Sequence, residues 1–165
     1  MASKGNTLYW ILRHLPVARG FGFELDARVF QLTKSNLVAL NLPIDIANVD
    51  YTSGLTAASV GPDELVVAFI APPWGDALDP VHGLDLRRTT PPIVEIIDFL
   101  VRRLGERPLV CAIQVYESVD PASLVDVKAR FAWSVQRVYS LNAPGLNHGL
   151  LLGTLGWVPM CGGDT

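Results

Sequence analysis

Apolar positions three and four apart run through Thr7–Leu15, where Leu8, Ile11, Leu12 and Leu15 share one side of a helix. Pro16 ends that spacing, because proline cannot donate to the helix ladder and turns its predecessor toward extended backbone. From there the period switches back and forth. Ala18–Leu25 is a short apolar strand, Arg28–Leu42 a helix with Val29, Leu32, Asn36, Ala39 and Leu40 near one side, and Ile44–Val49 a strand again. Thr52–Asp63 is rich in Gly, Ser and Thr and reads as a connection with room for one helical turn, closed by Gly61-Pro62. Leu65–Ile70 is apolar at every position, the pattern of a strand covered on both faces.

Asp76–Pro92 follows no period and is interrupted by prolines and glycines. Unpatterned loops beyond about 12–15 residues usually serve as lids or binding loops. Ile93–Leu104 restores helical spacing until Gly105, Leu109–Tyr116 is the next strand, and Leu124–Lys128 is a short helical link. Phe131–Leu141 and His148–Trp157 then read as antiparallel strands around a turn at Asn142–Asn147. Alternating helix and strand predicts an α/β fold: one doubly wound, mostly parallel sheet with a C-terminal antiparallel hairpin. Such a sheet begins with a strand, whereas this chain begins with a helix and residues 1–6 are too few and too polar to supply one. The expectation is a seven-strand sheet lacking its first strand. The open edge of Leu65–Ile70 would then suit self-association or a strand from a partner.

A chain of 165 residues, half hydrophobic and 18% charged, is the size of one domain spanning 1–165. Its formal net charge of −3 argues against a general polyanion binder but leaves room for a local basic patch. Cys111 and Cys161 stand alone, as free thiols do in a reducing compartment. The start lacks a signal-peptide core, and no apolar run is long enough to cross a bilayer. A cytoplasmic protein is expected. His14, His82 and His148 make no metal-ligand spacing, and no Gly-x-Ser-x-Gly elbow supports hydrolase chemistry.

The chemistry-bearing residues fall at successive strand ends. Gly5-Asn6-Thr7 opens the first helix, where free backbone N–H groups can meet a polar or anionic ligand. Glu24 ends the second strand, nineteen residues after Gly5, the place at which nucleotide-binding sheets hold a ribose diol. Asp50 ends the next strand and can accept from an adenine amino group; Asp26 suits a helix N-cap. Ala71-Pro72-Pro73-Trp74-Gly75 leaves the central strand with two stiff prolines and a flat ring that can receive a planar base. Arg87-Arg88, in the loop beyond, are candidates for phosphate contact, and Arg102-Arg103 for a solvated helix edge.

Together these residues resemble a class I S-adenosylmethionine-dependent methyltransferase, and within that class the RNA cap guanine-N2 methyltransferases, or trimethylguanosine synthases. The likeness runs from Gly5 to about Trp157. It rests on Gly5-Asn6-Thr7, Gly22-Phe23-Glu24-Leu25-Asp26, Asn36, Asp50-Tyr51 and Ala71-Pro72-Pro73-Trp74-Gly75. The resemblance implies that Gly5 and Asn6 line the methionine part of the cofactor and Glu24 its ribose. Asp50 would touch the adenine, with Leu25 and Tyr51 packed around it. Ala71, Pro72, Pro73 and Trp74 would hold the base being methylated, while Asn36 supports packing. It also implies S-adenosylmethionine as cofactor, an RNA substrate and methyl transfer to an exocyclic amine, guanine N2 first; no metal is expected, because neither the histidines nor the cysteines stand at metal-ligand spacing. The chain departs from the family's pattern in two places. The glycine-rich motif keeps only the tail Lys4-Gly5-Asn6-Thr7, and Ala71 stands where Asp, Asn or Ser is usual. Those departures keep open a truncated or non-catalytic binding module, and the residues at the rim of Trp74, which would choose the acceptor, keep open a methyltransferase for another base or a small molecule.

Overall fold

The structure, a computed structural model, describes residues 6–16, 19–41, 44–139 and 148–159. Its contacts divide the chain into two compact units, residues 1–59 and 60–165.

The first unit contains α1 (Asn6–His14), β1 (Gly20–Phe23), α2 (Ala27–Ala39), β2 (Ile44–Ala47) and α3 (Tyr51–Ala57). The two strands pair in parallel, Gly20 opposite Ile44 and Phe23 opposite Ala47, so their carboxyl ends lie side by side. Both are shorter than the apolar runs suggest. The reason is capping: Asp26 leaves the strand to accept from the N–H groups of Arg28 and Val29 at the start of α2. Asp50 does the same for α3, so the expected single turn after residue 52 is a seven-residue helix beginning at Tyr51. At its other end α2 stops at Ala39 rather than Leu42, where Asn41 takes a left-handed φ of 50°. The first residues of the strand expected over 18–25 fall partly outside the described residues.

The second unit holds β3 (Val66–Ile70), a 3-10 turn (Gly75–Ala77), β4 (Leu78–Asp79), β5 (Gly83–Leu84), α4 (Ile93–Leu104), β6 (Leu109–Tyr116), α5 (Pro121–Lys128), β7 (Trp133–Tyr139) and β8 (His148–Leu155). Its main sheet runs in the order β3-β6-β8-β7. β3 and β6 are parallel; β8 is antiparallel to both β6 and β7. The last strand is therefore inserted beside β6, and its hairpin partner β7 forms the outer edge. The turn at 142–147 lies outside the described residues. Among the described residues β3 pairs with β6 alone and β1 with β2 alone.

β6 alternates strictly. Leu109, Cys111, Ile113 and Val115 are buried, while Val110, Ala112, Gln114 and Tyr116 on the other face are half-buried. With Ile93, Ile96, Ile97, Leu100 and Leu104 of α4, Val127 of α5 and Leu151 of β8, the buried row makes the core of this unit. Cys111 has no exposed surface and burial pushes its thiol up to about 12, so it is a packing residue and not a nucleophile. No helix among the described residues is long and apolar enough to cross a membrane.

The loop over 76–92 is the clearest departure from expectation. It carries a small hairpin, and Leu84 and Leu86 have no exposed surface at all. Leu84 donates its N–H to the Ser118 carbonyl at 2.9 Å and accepts from the Asp120 N–H at 3.0 Å. Gly83, at φ 90°, permits that approach: a Cβ there would lie 2.6 Å from the Ser118 oxygen. Around Leu84 and Leu86 the segment is a plug docked on the chain just beyond β6 and on α5, rather than a free lid.

Candidate functional site

In the first unit the parallel ladder continues one step past the strands, with the Glu24 N–H donating to the Ala47 carbonyl at 3.1 Å. Asn48 then donates its side-chain amide to the carbonyls of Glu24 at 2.8 Å and Leu25 at 3.0 Å, pinning the turn that presents both. The Glu24 carboxylate uses Oε1 to accept from the Asp26 N–H at 3.0 Å; Oε2 has no partner among the described residues. Leu25 beside it is 72% exposed, leaving its apolar side chain open to a ligand ring.

Asp50 sits at the end of the neighbouring strand. Its Oδ1 accepts from the N–H groups of Thr52 and Ser53, at 2.9 and 3.0 Å, and from the Thr52 hydroxyl; its Oδ2 accepts from the Ser53 hydroxyl at 2.5 Å. The Ser53 hydroxyl, then that of Thr52, holds the carboxyl far below the ordinary 3.8. A depressed carboxyl stabilises the fold fully above its unfolded value and loses that contribution as pH falls through the folded one. Carboxyl-carbon NMR should therefore show Asp50 ionised well below pH 3.8; a midpoint at 3.8 would contradict the cap. Oδ2 retains a lone pair for a further donor. Gly54 makes the approach of α3 to β1 possible, since a Cβ there would fall 2.2 Å from the Phe23 ring. Of the remaining expected residues, Tyr51 is the first of α3 and Asn6 the first of α1, while Gly5 lies outside the described residues.

In the second unit, Val66 donates to the Pro108 carbonyl at 3.0 Å. The parallel ladder therefore engages Val66, Ala68 and Ile70, and it stops at Pro72, which has no N–H. The carbonyls of Ala71 and Pro72 accept no hydrogen bond among the described residues. The Trp74 carbonyl accepts from the Ala77 N–H at 2.8 Å and Gly75 takes φ 45°, so the chain leaves Trp74 in a tight 3-10 turn. The Trp74 ring lies edge-on to Tyr116, centroids 5.9 Å apart at 70°, and tilted over His148 at 5.3 Å and 31°. Tyr116 stands directly opposite His148 in the β6–β8 register, and Gln114 Nε2 lies 3.5 Å from His148 Nδ1. Burial, together with a hydrogen bond to Glu117, raises the Tyr116 phenol and keeps it protonated.

Sequence reasoning missed Asn48, Tyr116 and the placement of His148. Tyr116 ends a strand parallel to the one before Trp74, a positional signal that was available; the contact with His148 depends on register and was not. Arg87 is engaged elsewhere, bonded through two nitrogens to Asp85 and at 3.0 Å to Asp120. His82 pairs with Asp79 at 3.2 Å. Among the described residues no cluster of His, Cys, Asp and Glu could hold a metal ion.

No family model matches the chain, and no curated protein matches it. Solved structures do. An rRNA methylase from Streptococcus thermophilus superposes with a TM-score of 0.57 at 12% identity, over 94% of this chain and 84% of that one. SMU.1697c from Streptococcus mutans, solved in complex with SAH, gives 0.58 at 15% over 92% and 84%. The N-terminal domain of human METTL16 in complex with SAH gives 0.52 at 17% over 94% and 70%. At such identities the likeness is one of fold. The chain has the Rossmann-like methyltransferase fold, as the pattern of its elements predicts.

Proposed function

We propose that this chain, acting as one domain, binds S-adenosylmethionine through the strand ends of its first unit and methylates an exocyclic amine held by Ala71, Pro72, Pro73 and Trp74. Guanine N2 of RNA is the leading acceptor. The observation that carries the reading is Glu24, whose Oε2 lacks a partner among the described residues beside an exposed Leu25 at the joint end of two parallel strands. An acceptor oxygen next to an apolar surface fits a ribose diol next to a flat adenine. Asp50 Oδ2 would take the adenine amino group, Tyr51 would pack beside it, and Gly5 and Asn6 would line the methionine end. The neighbours solved with SAH and the rRNA methylase support this cofactor and an RNA substrate.

The cofactor supplies a methyl already activated on a sulfonium. What remains for the protein is alignment and polarity. A guanine amine is a poor nucleophile because its lone pair is delocalised into the ring. The Ala71 and Pro72 carbonyls can accept its N–H groups, favouring a more tetrahedral nitrogen, while Trp74 stacks on the purine for about 1–3 kcal/mol. Neither step requires a side-chain acceptor at residue 71.

The same proposal places the protein in the cytoplasm and leaves the edge of β3 away from β6 to a second copy or a partner strand. A non-catalytic module is the second reading, favoured by the methyl side chain of Ala71 where an acceptor would help; transfer to another base or a small molecule is the third. Incubation with methyl-labelled S-adenosylmethionine and single-stranded RNA, followed by nucleoside analysis, separates them. N2-methylguanosine is the expected product. Cofactor binding without any labelled nucleoside would favour the binding module, and label on adenosine would move the acceptor.

A further inference from the structure

The aromatic cluster continues beyond the base it is proposed to hold. Tyr116 on β6, His148 on β8 and Tyr139 on β7 occupy one register row, each directly opposite the next. Directly opposed residues project from the same face of a sheet. Neighbouring strands lie about 4.8 Å apart, so the row extends about 10 Å across the end of the sheet. Trp74 packs on its inner end. Its outer end is open: His148 is exposed and Tyr139 is 56% exposed. Arg137, two residues before Tyr139 and so on the same face, is also exposed and makes no ion pair among the described residues.

We infer that Trp74, Tyr116, His148 and Tyr139 form a stacking path for the nucleotides flanking the methylated base in single-stranded RNA, with Arg137 facing their phosphates. The inference rests on the RNA reading above and extends it from one base to a short segment. Rings in a row with a cation at the margin suit unpaired bases, whose faces are free, and do not suit a duplex, whose bases are already stacked. Tyr116 is held in place by Glu117, and His148 is flanked by Tyr116, Gln114 and Tyr139. The exposed outer ring is thus the one free to adapt to a ligand.

The test compares a fluorescein-labelled hexaribonucleotide containing one guanosine with guanosine monophosphate, in the full chain. Tyr139→Ala should weaken the hexamer about ten-fold or more, since one stacking contact is lost, and leave the mononucleotide unchanged. Tyr139→Phe should restore the hexamer, and Arg137→Gln should flatten its salt dependence. If Tyr139→Ala leaves the hexamer unchanged while Trp74→Ala weakens both ligands, the path is wrong and the base site stands. Equal affinity for a duplex of the same sequence would also overturn the path. Failure of the native chain to bind either ligand at millimolar concentration would remove the RNA reading itself, and the path with it.

Discussion

Glu24→Ala is expected to weaken S-adenosylhomocysteine binding by about ten-fold or more, the usual consequence of removing a charged hydrogen-bond acceptor. The substitution suits a test because the fold has little to lose. Oε1 satisfies one exposed N–H, that of Asp26, while the Asp26 side chain itself still caps α2. The Glu24 and Leu25 carbonyls remain pinned by Asn48. Glu24→Gln keeps one carbonyl acceptor and should fall between the native protein and the alanine variant. Isothermal calorimetry reads all three. Identical affinities across the series would take Glu24 out of the cofactor site, whatever the chain then proves to methylate.

The second large effect is on stability. Leu84→Ala should cost about 2–5 kcal/mol, the range for truncating a fully buried leucine. Leu84 has no exposed surface, and its backbone bridges Ser118 and Asp120 just beyond Tyr116. Leu86 is equally buried, and its N–H donates to the Ser123 hydroxyl at 3.1 Å, tying the loop to α5. Val81, 83% exposed in the same loop, is the control: Val81→Ala should change stability by less than about 0.5 kcal/mol. Urea unfolding followed by circular dichroism makes the comparison. Equal, small effects at both positions would return the segment to the class of mobile lids.

That loop shows where reading the chain stops being sufficient. Its residues have no period, and length without period usually means a lid. Leu84 and Leu86 are two of several apolar residues in the stretch, beside Leu78 and Val81, and only the folded chain reveals that Ser118, Asp120 and Ser123, more than thirty residues away, receive them. Asp50 makes the same point on a smaller scale. Its position after a strand was legible, but its four hydrogen-bond donors depend on Thr52 and Ser53 entering a helix that weak propensities did not announce.

The order of the longer helices and strands, the doubly wound α/β class, the apolar run of β3 and the acids at strand ends were determined by the sequence alone. They arise from periodicity and turn chemistry, which act between residues only a few positions apart. β3, expected to be covered on both faces, is instead mostly half-buried and ends its sheet among the described residues. Tertiary structure decided that β8 lies between β6 and β7, that Trp74 meets Tyr116 and His148, that Asn48 fixes the turn of Glu24, and that the long loop is a plug. Each depends on strand register or on burial against residues far along the chain. Such contacts form only when the whole unit packs, and no local pattern encodes them.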